Sequence, residues 1–174
     1  MNMTSSNAAD LPLPGWAYLP GETADSEPDH EALSQARALV PAQFFGHVPT
    51  RHPALRYGMA LNDAGYFWES QQVLEAVWAA APQGGRERIL LRACIQVANA
   101  NLKLRMQKAN AAARLWSEAL AAIDGLLARR SPAAGDGFAD RFPAASLARM
   151  LKIRLAQTTL SKADWIALGS IAKA

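Results

Sequence analysis

From Pro53 to the end of the chain, apolar residues recur three and four positions apart almost without a break, which is the spacing of helices packed by one face. The spacing predicts a helix over 53–64, opened by a proline suited to the first helical turn and broken by Gly65. A second runs from just after Gly65 to 81, where Pro82 and the Gly84-Gly85 pair stop it. A third and longest covers 86–106, and a fourth covers 110–128, with Ala113, Trp116, Leu120 and Ile123 on one stripe. The run SPAAGDGFADRF over 131–142 reads as a loop, and two shorter helices follow over 144–157 and 162–172, the second capped by Ser161. Upstream, seven of the ten prolines lie before residue 54, so 1–52 reads as a Pro-rich arm packed on the bundle. Its one helical piece spans 28–40, with Ser26 as cap. No segment reads as a strand. The expected fold is all-α: a compact bundle of five to seven antiparallel helices over 53–174, with the arm wrapped on it.

Polar residues inside this pattern point to a place for a site. In GYFWESQQVLEAVWAAAP, winding at about 100° per residue puts Phe67, Leu74, Trp78 and Ala81 on one stripe, with Gln71 inside it and Glu75 at its edge. A buried amide or carboxylate must find hydrogen-bond partners. Candidate partners stand on the long third helix, where Arg92, Gln96, Asn99 and Lys103 form a polar stripe beside an apolar one made by Ile89, Ala93, Val97, Ala100 and Leu104. Together with Gln72, these residues predict a polar pocket between the second and third bundle helices, with Phe67, Trp68 and Trp78 as groove aromatics; the alternative is that Arg92 and Lys103 reach solvent while Gln71 and Gln96 form a structural clamp. Trp68 lies off the main stripe and reads as a groove wall or a homodimer contact.

Composition narrows the chemistry. Half of the residues are hydrophobic, enough for a core. No apolar run reaches the roughly 18 residues of a membrane span, and no basic segment followed by an apolar stretch opens the chain, so a cytoplasmic location is expected. The single cysteine, Cys94, sits among Leu90, Leu91 and Ile95 as a buried thiol. The net charge of +3 is segregated: residues 1–85 carry nine acids against three arginines, and residues 86–174 carry fifteen bases against six acids. That basic half can face the acidic half of its own chain or nucleic acid through Arg129, Arg130, Arg149, Lys152 and Arg154. The basic residues are scattered without interleaved aromatics, which argues against nucleic acid. No zinc spacing, serine triad or phosphate-binding loop is present, and His30, His47 and His52 all fall in the arm, where solvent exposure is expected.

The same residues resemble a known family. The segment over 56–123 is similar to the bacterial and archaeal domain of unknown function numbered 309, whose signature helix reads Gly, x, aromatic, x, Glu, Ala, His, Glu and ends in Glu, x, x, Trp. Gly65, Phe67, Glu69, Val73, Leu74, Glu75 and Trp78 fit that register, as do Ile95, Gln96, Ala98 and Lys103 in the next helix and Asn110 with Ala113 in the one after. The PGWAYLPGE run around Pro20 and Gly21 resembles the family's arm. The resemblance implies an all-helical fold and, since members are sometimes described as predicted metal-dependent hydrolases, a metal site. This chain departs where that site would be: Gln71-Gln72 replaces the His-Glu pair, and Asp25 or Ser26 stands where the arm usually carries a histidine. Glutamine is a poor zinc ligand and no general base. Glu69 and Glu75 remain, but six positions apart they point about 120° away from one another. The segment also resembles one tetratricopeptide-type hairpin, through Gly65, Phe67, Ser70, Leu74, Val77 and Pro82, with a weaker echo over 108–125. The expectation is a non-catalytic binding or interaction module without a cofactor. Its rivals are a degenerate metal-dependent hydrolase and a nucleic-acid binder.

Overall fold

The computed structural model describes residues 11–24, 26–129 and 135–169. Seven α-helices lie among them: α1 (Glu31–Ala38), α2 (Pro53–Asp63), α3 (Phe67–Ala80), α4 (Arg86–Arg105), α5 (Ala109–Ala128), α6 (Phe138–Arg141) and α7 (Ala144–Ala156). No strand appears among the described residues, only isolated bridges at Pro20–Ala24 and Pro49–Gly137. The all-α expectation holds, and the four main helices start and stop within a few residues of their sequence signals. Pro53 occupies the first turn of α2, where the His52 ring accepts the Ala54 N–H at 3.2 Å. Gly65, at φ 91°, takes the left-handed backbone that ends α2 and turns the chain into α3.

Short connections make successive helices antiparallel neighbours. α2 packs on α3, α3 on α4, α4 on α5 and α5 on α7, while α1 lies over α3 and α2. The molecule is thus a row of helices with α1 and the acidic part of the arm at one end and α7 at the other, while residues 48–50 of the arm run back to meet 136–138 ahead of α6. α4 lies mid-row, and its buried face includes Leu90, Leu91, Cys94, Val97, Ala100 and Leu104. Cys94 is fully buried, and burial pushes its thiol above the ordinary range. α2 and α3 approach unusually closely: a Cβ on Gly58 would come within 2.6 Å of a Leu74 methyl. The Ser70 hydroxyl donates to the Gly58 carbonyl at 2.7 Å across that contact.

Three expectations are corrected. α1 begins at Glu31 rather than at 28, and its N-cap is His30, without a side-chain cap bond, rather than Ser26. Within the loop over 131–142, Phe138 and Ala139 are buried and start α6, while 130–134 lie outside the described residues. Of the helix expected over 162–172, the described residues form a 3-10 turn, Lys162–Asp164, capped by Ser161 as expected, then leave the helix over 165–168. Over 165–168 the chain is not helical, because side chains on α2 and α4 take N–H groups of this segment in place of helical carbonyls. Ile166 N–H donates to Asn101 Oδ1 at 2.8 Å, and Leu168 and Gly169 donate to the Asp63 carboxylate, each at 2.7 Å. Residues 170–172 lie outside the described residues.

Candidate functional site

α3 buries Phe67, Trp68, Glu69, Ser70, Val73, Leu74, Val77 and Ala80. Its buried face is centred on the line through Glu69, Val73, Val77 and Ala80, so Gln71, Glu75 and Trp78 fall on the outer side. Glu75 is exposed, and Gln71 is half-buried with its amide turned back to the Phe67 carbonyl of its own helix at 3.2 Å. Gln72 is also half-buried. The clamp between Gln71 and Gln96 does not form: Gln96 donates instead to Glu118 on α5 at 3.0 Å.

The polar stripe of α4 is real but faces outward, along the part of the helix that α3 and α5 leave open, and does not line an internal pocket. Arg92 is exposed, and Gln96, Asn99 and Lys103 are half-buried. On its α3 side, Trp78 carries two guanidinium groups, Arg88 at 4.5 Å and Arg92 at 5.6 Å from the ring centroid. Arg88 is held there by donating to the Ala81 carbonyl at 3.2 Å and the Ala79 carbonyl at 3.1 Å. Of the three expected groove aromatics only Trp78 reaches this strip. Phe67 is buried beneath the Arg105 guanidinium, 4.4 Å away, and Trp68 is covered by the arm, edge-on to Tyr18 at 5.0 Å. A separate depression of about 460 Å³ lies beyond the C-terminal end of α4, lined by Leu104, Gln107, Ala109 and residues 160–163, and none of the expected site residues borders it.

Glu69, named from the sequence as one of two carboxylates left at the motif but not as a buried one, is the buried carboxylate of α3. It is fully buried, and its Oε2 accepts the Tyr18 N–H of the arm at 3.0 Å and lies 3.7 Å from His30 Nε2. His30 is therefore not a solvated arm residue; its side chain is 12% exposed and its ring meets Trp16 edge-on at 5.1 Å. Burial raises the carboxyl above its ordinary range, opposed by the Tyr18 N–H and by the charges of His30 and Arg105. Tyr57, whose hydroxyl donates to the Pro12 carbonyl at 2.7 Å, is pushed up to about 12 by burial first and by Glu69 next. A second carboxylate, Glu87, is 5% exposed and accepts the Ala139 N–H at 2.8 Å, joining α6 to α4. The sequence signal for Glu69 was its place at the head of the apolar run Val73, Val77 and Ala80.

The residues present do not fit the metal site that the resemblance implies. Gln71 and Gln72 offer amides, Glu75 stands on the outside, and His30 with Glu69 makes a pair only; among the described residues no group of three His, Cys, Asp or Glu side chains is placed to hold an ion. No helix among the described residues is long and apolar enough to cross a membrane.

Comparison with known proteins adds one relationship. The family model described as a domain of unknown function (DUF309) matches residues 55–115, from α2 into α5, and so takes in Glu69, the whole outer strip of α4 and the strap-holding Asp63 and Asn101. No curated protein and no solved structure matches the chain. The match over residues 55–115 supports the resemblance to DUF309 read from the sequence.

Proposed function

We propose that this protein is a non-catalytic binding module whose contact surface is the outer strip of α4 with the adjoining edge of α3. The observation that carries the reading is the stack of Arg88 and Arg92 on Trp78, an aromatic flanked by two cations, of which Arg88 is fixed by main-chain carbonyls before any partner arrives. Trp and Arg are the side chains that dominate binding energy at protein interfaces, and fixing them in advance lowers the entropy cost of association. Gln71, Gln72, Glu75, Gln96, Asn99 and Lys103 supply hydrogen-bonding groups along the rest of the strip. A helix of 20 residues offers about 30 Å of length, which suits an extended peptide segment of a partner protein better than a small molecule. The test is selection of binders by the intact protein from a displayed random peptide library. Trp78→Ala and Arg92→Glu should each weaken the selected peptides roughly tenfold or more. Peptides that bind both variants as well as the parent would sink the reading.

A further inference from the structure

The two ends of the helix row are a separate matter from the α4 strip, and their surfaces are opposite in character. At the arm end, the ten residues 22–31 contain five acids, one histidine and no lysine or arginine. Glu22, Glu27, Asp29 and Glu31 are all exposed, and among the described residues none of the four takes an ion pair. In their midst stands Trp16, 44% exposed, its ring against His30, which Asp29 and Glu31 flank in sequence. At the far end, α7 carries Arg149, Lys152 and Arg154 and no acid at all. Ile153 is 56% exposed beside Lys152 and one turn from Arg149, and Leu127 on the neighbouring α5 is 47% exposed. Arg154 is occupied by the Asp164 carbonyl at 2.8 Å, and Lys152 reaches Asp124 only at 3.9 Å, while among the described residues Arg149 bonds to Ser146 of its own helix alone.

An apolar residue rimmed by charge is the plan of a protein interface: the apolar centre supplies burial, the rim steers and selects. Here one end offers tryptophan in an acidic rim and the other isoleucine in a basic one. We infer that the exposed face of α7 is a docking site for the acidic arm of a second copy of this chain. Because the acidic part of the arm lies with α1 over α2 and α3 while α7 packs on α5 at the other end of the row, one such contact leaves a free acidic segment and a free α7, so copies add head to tail and continue the row. Surface ion pairs are weak and screened by salt, so the association is favoured in dilute buffer and at high protein concentration.

Sedimentation of the intact protein across a concentration series, after nuclease treatment, tests this. In low salt (about 20 mM) the mean mass should climb with concentration, and in about 1 M salt it should return to that of one chain. Arg149→Glu with Lys152→Glu, and separately Glu27→Lys with Asp29→Lys, should each stay monomeric in low salt. An equimolar mixture of the two reversed proteins should associate again, since each then carries the end the other needs. A parent protein that is monomeric in low salt, association that vanishes with nuclease, or a mixture that fails to associate overturns the proposal.

Discussion

Glu69 sits in a position that charge disfavours, fully buried with one main-chain N–H, a histidine and a more distant arginine around it. Replacing it with alanine leaves the Tyr18 N–H without its acceptor and opens a void under the arm, a loss of about 2–4 kcal/mol read from the urea midpoint. The pH dependence follows from the raised carboxyl. A folded-state value above the unfolded one means that the native state holds the proton more tightly, so this contribution is fully present below pH 4.5 and is lost as pH rises through the folded value. Glu69→Gln, which cannot ionise, should therefore gain on the parent as pH climbs from about 4 to 7 in paired urea titrations. A gap that moves the other way would mean that His30 and Arg105 outweigh desolvation. Periodicity could show that Glu69 begins an apolar run, but not that the run is the inner face. Trp78 draws the stripe toward itself by its size, and the partner that makes burial of Glu69 tolerable is a backbone group 51 residues away.

Among the elements, α2 and α3 leave no room for error. Gly58→Ala would drive a methyl to within 2.6 Å of Leu74, a cost of about 1–3 kcal/mol visible as a lowered thermal midpoint. The strap after the 3-10 turn depends on three side chains, Asp63, Asn101 and Asn62, the last donating to the Ile166 carbonyl at 3.1 Å. Asn101 donates to the Ile166 carbonyl and to Asn62 Oδ1, each at 2.8 Å, and accepts the Ile166 N–H. Asn101→Ala should speed hydrogen exchange at Ile166 and Asp63→Ala at Leu168 and Gly169, with the α3 amides unchanged; uniform acceleration throughout the chain would refute a local role. Helix ends marked by Pro53, Gly65, Pro82 and Gly84 were legible because proline and glycine act on their own backbone. The last segment was misread as helix because Trp165, Ile166 and Leu168 are apolar in either conformation, and what decides between them is the pair of acceptors waiting on α2 and α4.

Across the whole molecule, the thiol of Cys94 reports on global opening. It is fully buried in the central helix, so its reaction with a thiol reagent should follow unfolding, with labelling rates across urea parallel to the loss of helical signal. Labelling that runs ahead of unfolding would reveal that α4 opens by itself. The row of helices was foreseeable from spacing and turns; the placement of the arm was not, because it rests on contacts between distant parts of the chain. Those contacts share a trait. Tyr18, Ala139, Ile166, Leu168 and Gly169 all hand over a peptide N–H to a helix-borne Glu, Asn or Asp. Every residue type except proline owns that group, so the hydrogen bonds themselves do not dictate the donors; Tyr18, Ile166 and Leu168 are constrained instead by burial in the core, and Gly169 by the Asp63 carboxylate standing where a Cβ would go. For those bonds the burden of constancy falls on the receivers, Asp63, Glu69, Glu87 and Asn101.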